Sequence, residues 1–214
     1  MKIIVLEKRQ EQALATCEDV IKKHGLAVVP TDTVYGIIGD AAQADVVRRL
    51  YNLKQRPKEK AFPVFVRDIA MARQFAYISD SKAKFLERVW PGAVTAIFHH
   101  KEKLPPLLTA GGDTIALRMP KDSFLSALLN RINVPLAQSS ANISGMPPAA
   151  TAQEAIASFE HQKQKPDLII DGGTLSRTSS TVLDFTANKP RVIRSGLMSK
   201  EEIDFLMDKL IFQE

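Results

Sequence analysis

Three stretches of the chain concentrate residues that bind charged or polar groups. In Pro30-Thr31-Asp32-Thr33-Val34-Tyr35-Gly36, an apolar run ends in a proline that is followed by two hydroxyls and a carboxylate. Loops at strand ends are where α/β proteins commonly hold ligands. These groups read either as contacts to a small polar substrate or as a turn in which Thr31 and Asp32 bond to nearby backbone. The second stretch is basic: Arg48, Arg49, Lys54, Arg56, Lys58 and Lys60, with Glu59 opposing. Lys54 and Arg56 are two apart, so an extended segment would put both on one face. Converging cations suit a triphosphate; a solvated basic loop or an RNA-contacting patch would use the same residues. The third is Ser139-Ser140-Ala141-Asn142-Ile143-Ser144-Gly145 after the apolar run Val134 to Ala137. Small polar side chains before a glycine form either an anion-binding loop or an ordinary polar turn. Thr114 and Arg118, Ser179-Ser180-Thr181, and Arg194-Ser195-Gly196 lie at the edges of further strand-like runs.

Several other chemistries lose ground. There is no G-x-x-x-x-G-K-[ST], no G-x-G-x-x-G after a strand, no H-E-x-x-H and no G-x-S-x-G. The single cysteine, Cys17, allows neither an intrachain disulfide nor a cysteine metal cluster. No protein-bound metal is expected. The 214 residues are 45% hydrophobic and 25% charged, enough for one core of ordinary size. No apolar run reaches the roughly 18–20 residues that span a bilayer, and the first residues lack a secretory signal pattern. A cytoplasmic protein with no membrane partner is expected. The net charge of +5 and pI of 9.3 suit polyanionic partners such as nucleotides or RNA, or simply solubility.

The elements that must position these residues alternate. Residues 9–24 carry Leu14, Cys17, Val20 and Ile21 at helical spacing, with Gly25 as the stop. Leu26 to Val29 reads as a buried strand, and Asp45 as the cap of a helix carrying Val46, Val47, Leu50 and Leu53. Phe62 to Val66 reads as a strand, Phe85 to Trp90 as a helical face, and Ala93 to Phe98 as a strand. Ile115 to Leu117 looks extended, Phe124 to Leu129 helical. Val134 to Ala137, Leu168 to Ile170, Thr181 to Phe185 and Val192-Ile193 are further strands. Ser199 with Glu202 is a capping-box pattern for a last helix. The mixture predicts an α/β fold with a large twisted sheet, one domain over residues 1–214.

Taken in order, these pieces resemble the YrdC-like family of threonylcarbamoyl-AMP synthases, from the first helix to Arg194-Ser195-Gly196. Pro30 to Gly36 matches the family's P-T-[DE]-[ST]-x-Y-G. Lys54-Gln55-Arg56 matches its K-x-R, Arg118-Met119-Pro120 its R-x-P, Ser140-Ala141-Asn142 its S-x-N, and Ser180 to Asp184 its S-T-V-x-D. Five elements in the family's order and spacing are far more specific than any one. The resemblance implies a single YrdC-like domain in which helices flank a mixed sheet. It also implies adenylyl transfer from ATP, with its Mg2+, to a carbamate made from L-threonine and bicarbonate. A downstream threonylcarbamoyl transferase complex would then modify tRNA at adenosine 37.

By the same resemblance, Lys54, Arg56, Ser140 and Asn142 form the catalytic set. Arg56, Lys60, Thr114, Asn142 and Arg194 contact ATP. Thr33, Phe65, Arg118, Ser140 and Ser180 contact threonine. Three positions depart from the family: Phe65 stands where a histidine is frequent, Lys60 where an asparagine is, and Ala150 where a serine is. The chain ends soon after Arg194, so the extra C-terminal domain of longer relatives is expected to be absent. The rival readings are a non-catalytic YrdC-fold protein that binds RNA, and a carbamoyl-adenylate module of the hydrogenase-maturation type. The intact K-x-R and S-x-N oppose the first, and the lack of zinc-finger cysteines opposes the second.

Overall fold

A computed structural model describes residues 2–187 and 190–209. In chain order the elements are β1 (Lys2–Val5), α1 (Gln10–Lys22), β2 (Ala27–Val29), β3 (Gly36–Asp40), α2 (Ala44–Lys54), β4 (Val64–Phe65) and α3 (Ile69–Phe75). Then follow α4 (Asp80–Val89), β5 (Val94–His99), β6 (Thr114–Arg118), α5 (Ser123–Ile132) and β7 (Leu136–Ser140). The last are α6 (Ala152–Phe159), β8 (Leu168–Asp171), β9 (Thr181–Asp184), β10 (Arg191–Arg194) and α7 (Lys200–Lys209).

All ten strands join one sheet in the order β1-β8-β2-β3-β7-β4-β6-β5-β9-β10. The sheet is mixed: β1/β8, β2/β8, β4/β6 and β5/β9 are parallel, and the other neighbours antiparallel. Side chains alternate between the two faces along each strand, and paired residues share a face. On the first face Val28, Ile37, Val64, Leu117, Ala96 and Leu183 pack into one core with residues of α2, α3, α4, α6 and α7. This core extends from β8 to β9. The second face is covered differently. Ala27, Val29, Ile38, Phe65, Leu136 and Leu168 pack under the apolar sides of α1 and α5. Among the described residues, that second core draws on β1, β8, β2, β3, β7 and β4, and nothing in it comes from β6, β5, β9 or β10.

Several helices begin on side-chain caps, each satisfying an N–H that the helix itself leaves open. Asp68 accepts from Met71 N (2.7 Å), Asp122 from Leu125 N (2.8 Å) and Thr151 from Glu154 N (3.2 Å). The Ser199–Glu202 capping box forms, with bonds of 3.2 and 2.7 Å.

The structure departs from the sequence reading in four places. Asp45 is not a cap: the N-cap of α2 is Gln43, two residues earlier, and Asp45 lies in its first turn. The strand expected at Phe62 to Val66 contracts to two residues. The strand expected at Val134 to Ala137 instead continues through Ser139 and Ser140, because β3 offers partners to both (Ile37 and Gly36). Lys54 and Arg56 are not extended. Lys54 closes α2, and Gln55 is left-handed (φ 48°), turning the chain between them. The strand β3 and the helices α3 and α6 had no place in that reading. β3, Gly-Ile-Ile-Gly-Asp, carries loop-like residues for a packing reason. A Cβ on Gly39 would lie 2.5 Å from Val46 and 2.7 Å from Leu26, so only glycine lets α2 approach.

Candidate active site

The bare part of the second sheet face forms a cavity of about 240 Å³, lined in part by Thr33, Arg56, Arg118, Ser140, Ser180 and Arg194. Six of the residues singled out by resemblance thus converge from six separate segments. Register explains the convergence. Arg118 pairs with the core residue Phe65, and so points to the same face. Ala116 and Thr114 follow at intervals of two. Ile97 pairs with Ala116, Val182 with Thr95, and Arg194 with Val182. Each strand therefore presents its alternate residues to one open surface.

Arg118 is nearly inaccessible, with 4% of its side chain exposed, and forms an ion pair with Asp32. Burial pulls its pKa down, and the Asp32 carboxylate opposes the shift. Its Nη1 donates to Thr33 Oγ1 at 3.2 Å and its Nε to Gly92 O at 3.1 Å. Behind it, the ring centroid of Phe65 lies 5.7 Å from the guanidinium carbon. Phe65 is 1% exposed and belongs to the second core. It supports Arg118 from below and does not line the cavity.

On the opposite wall Arg194 donates to Ser180 O (2.9 Å), and the Ser180 hydroxyl bonds with that of Thr95 (2.9 Å). Arg56 donates through Nε to Lys60 O (2.8 Å) and through Nη2 to Ala61 O (2.7 Å), and lies 4.7 Å over the Phe62 ring. Three guanidinium groups thus border one cavity, an arrangement suited to an anionic ligand.

Lys54 and Asn142 stand elsewhere. Lys54 is 1% exposed and lies behind the cavity wall. Its Nζ donates to Ser140 O (2.5 Å) and Asn142 O (2.7 Å), with Asn142 Oδ1 at 3.4 Å. Burial, and secondarily the charge of Arg56, pull its pKa down to about 7; three converging oxygens favour the ammonium. Asn142 Nδ2 donates to Ile143 O (2.9 Å) and Met146 O (2.6 Å). The two side chains together shape residues 140–146, and in this structure neither lines the cavity. The Lys60 side chain is exposed, and it is its carbonyl that accepts from Arg56 and from the Tyr51 hydroxyl (3.0 Å). Thr114 shares the open face but lies at the far end of β6 from Arg118. Ala150 is buried, its N–H bonded to Glu154.

The Sua5/YciO/YrdC family model, described as "Telomere recombination", matches residues 19–196. The chain belongs to this family. It is 34% identical to the threonylcarbamoyl-AMP synthase of Bacillus subtilis (strain 168), over 89% of this chain and 55% of that protein. The P. abyssi Sua5 structure complexed with L-threonine superposes with a TM-score of 0.90 at 30% identity, covering 98% of this chain and 62% of that one. E. coli YciO superposes with a TM-score of 0.81 at 25% identity, covering 92% and 95%. The chain thus spans little more than half the length of the B. subtilis relative and about three-fifths of the P. abyssi one.

The cavity of this Sua5/YciO/YrdC protein is also lined by residues that its motifs did not reveal: Thr95, Gln138 and Pro63. Thr95 carried a faint signal, as the one hydroxyl within the apolar run Ala93 to Phe98. The others become visible only through the register of the sheet.

Proposed function

We propose that this protein is an L-threonylcarbamoyladenylate synthase. L-threonine and bicarbonate would condense to a carbamate, with loss of water. The carbamate oxygen would then attack the α-phosphorus of ATP. The new O–P bond forms as the bond to the β-phosphate bridge breaks, and pyrophosphate leaves. The observation that carries this reading is the cavity itself: Arg56, Arg118 and Arg194 meet the hydroxyls of Thr33, Ser140 and Ser180 around about 240 Å³. A reaction between two anions needs positioned cations and fixed donors more than a strong nucleophile. Relatives of this chain named threonylcarbamoyl-AMP synthase, and a neighbour bound to L-threonine, support the substrate assignment.

In this reading Arg118 takes the threonine carboxylate, and Arg56 and Arg194 take the nucleotide. Lys54 and Asn142 hold the loop that carries Ser140. Magnesium would arrive as the counter-ion of the nucleotide. Among the described residues no cluster of His, Cys, Asp or Glu could hold such an ion, and Asp32, the carboxylate beside Arg118, is bonded to Arg118 and Lys121 N. The product would pass to a threonylcarbamoyl transferase complex acting on tRNA in the cytoplasm. The net charge of +5 adds a weak, salt-sensitive affinity for tRNA. No described helix is long and apolar enough to cross a membrane. The test is pyrophosphate release from ATP with threonine and bicarbonate, each omitted in turn. Release should need both, and equal release without threonine overturns the reading.

A further inference from the structure

Asp32 carries no role in the reaction as described, yet it supplies the one charged partner among the three that hold Arg118. Its Oδ1 accepts from Arg118 Nη2 at 2.5 Å, and its Oδ2 accepts from the backbone N–H of Lys121 at 3.1 Å. The carboxylate thus joins the end of β6 to the loop before β3. A guanidinium has five N–H donors. Arg118 commits Nε–H to Gly92 O, one Nη1–H to Thr33 Oγ1 and one Nη2–H to Asp32. One N–H remains on each terminal nitrogen, the pair with which arginine grips a carboxylate in two-point fashion.

The neighbouring hydroxyls are polarised by the same network. Thr31 Oγ1 donates its only proton to Val34 O (2.7 Å) and accepts from Thr33 N (3.0 Å). In its 2.9 Å bond with Thr33 Oγ1 it can therefore only accept, so the Thr33 proton points at Thr31. Thr33 Oγ1 also accepts from Arg118. What Thr33 still offers is one lone pair, an acceptor with no proton to give.

We infer that Asp32 is a positioning residue of the amino-acid subsite. It aims the two unused N–H groups of Arg118 at the substrate carboxylate, beside Thr33, which Thr31 keeps an obligate acceptor. The subsite then selects a carboxylate flanked by a hydrogen-bond donor, either the N–H or the hydroxyl of a hydroxy-amino acid. Asp32 also lowers the repulsion among three guanidinium groups, since Arg194 acts unfavourably on the charge of Arg118. The inference rests on the synthase reading and refines its specificity.

The experiment is calorimetric titration of L-threonine, L-threoninamide and ATP into the full chain, Asp32→Asn and Asp32→Glu. Threoninamide lacks the carboxylate charge. The unmodified protein should prefer threonine to the amide. In Asp32→Asn that ratio should fall by about tenfold or more, the loss expected when a charge-assisted contact is misaligned, with ATP affinity within about twofold. Asp32→Glu keeps the charge but displaces it, and should retain an intermediate ratio. If Asp32→Asn does not fold, Asp32→Glu decides. An unchanged ratio in the variants that fold, or an equal loss for threonine and ATP, overturns the inference while leaving the synthase reading standing. Absence of threonine binding by the unmodified protein overturns the synthase reading itself, and the inference with it.

Discussion

The second face of the sheet is two surfaces, one covered by helices and one open. On one side α1 and α5 close over Ala27, Val29, Ile38, Phe65 and Leu136, which are 1% exposed or less. On the other the same pleat presents Thr95, Ala116, Arg118, Val182 and Arg194 to a cavity. The boundary passes between Phe65 and Arg118 and cuts across β7, whose Leu136 is covered while Gln138 and Ser140 line the cavity. Apolar side chains at the covered positions gain by being buried under helices. Cations and hydroxyls at the open positions would lose their hydration under such a cover without gaining partners. The site forms where the helical cover stops. Its innermost arginine uses the last core residue as a backing, which gives it the rigidity of the core together with access to a ligand.

Substitutions on the two sides should separate stability from function, and the boundary should show both. Arg118→Ala is expected to have the largest effect. It leaves the half-buried Asp32 carboxylate with only the Lys121 N–H as partner, which costs about 1–3 kcal/mol of stability. It also removes the carboxylate contact, so turnover per KM for threonine should collapse. Urea denaturation alongside the pyrophosphate assay measures both, and a fully stable variant would show that the pair is not coupled to folding.

Deep in the covered half, Leu128→Ala should cost about 2–5 kcal/mol of stability through the cavity it leaves. Leu128 is fully buried under the second core, so KM for threonine and ATP should not change in the folded fraction. A raised KM would mean that the covered half tunes the site.

In the open half, Arg56→Ala should do the reverse. Losing a charge-assisted contact to a phosphate costs about 1.5–3 kcal/mol, roughly tenfold or more in rate, while the urea midpoint stays near that of the unmodified protein. Normal turnover would return the basic loop to a solvated surface.

A dependence on pH is expected from Lys54, buried behind the cavity wall. Its folded pKa is depressed to about 7 from the ordinary lysine value of 10.5. Between these values the unfolded chain binds the proton and the folded chain releases it. This contribution therefore makes stability rise with pH from about 7 to 10.5, by at most about 1.4 kcal/mol per unit. Below pH 7 both states are protonated and the slope vanishes. Lys54→Met should flatten the rise. Equal slopes in the two proteins would mean that the three oxygens around Nζ keep the ammonium charged throughout.

Much of this was legible in the sequence. The helical spacing of Leu14, Cys17 and Ile21 places them on the inner side of α1, and the run Leu26 to Val29 is buried as its apolar residues require. The ordered motifs named the family and picked out six side chains that line the cavity. Period and composition report local structure and burial, and a motif reports which residue types occur together. Neither reports which backbone neighbour a side chain meets. The sequence read Lys54 and Arg56 as a pair on one face. The left-handed turn at Gln55 sends one into the interior to hold residues 140–142 and leaves the other at the cavity. It read Ser139 and Ser140 as a loop, and they became strand because β3 pairs with them. Thr95 and Gln138 had no motif at all. The sequence by itself determined the family, the α/β class and the cation-and-hydroxyl chemistry, because those depend on residue type and local order. The tertiary structure alone decided which half of a sheet face stays uncovered, and that Asp32 holds Arg118. Those depend on strand register between segments as far apart as β3 and β9, which no local pattern encodes.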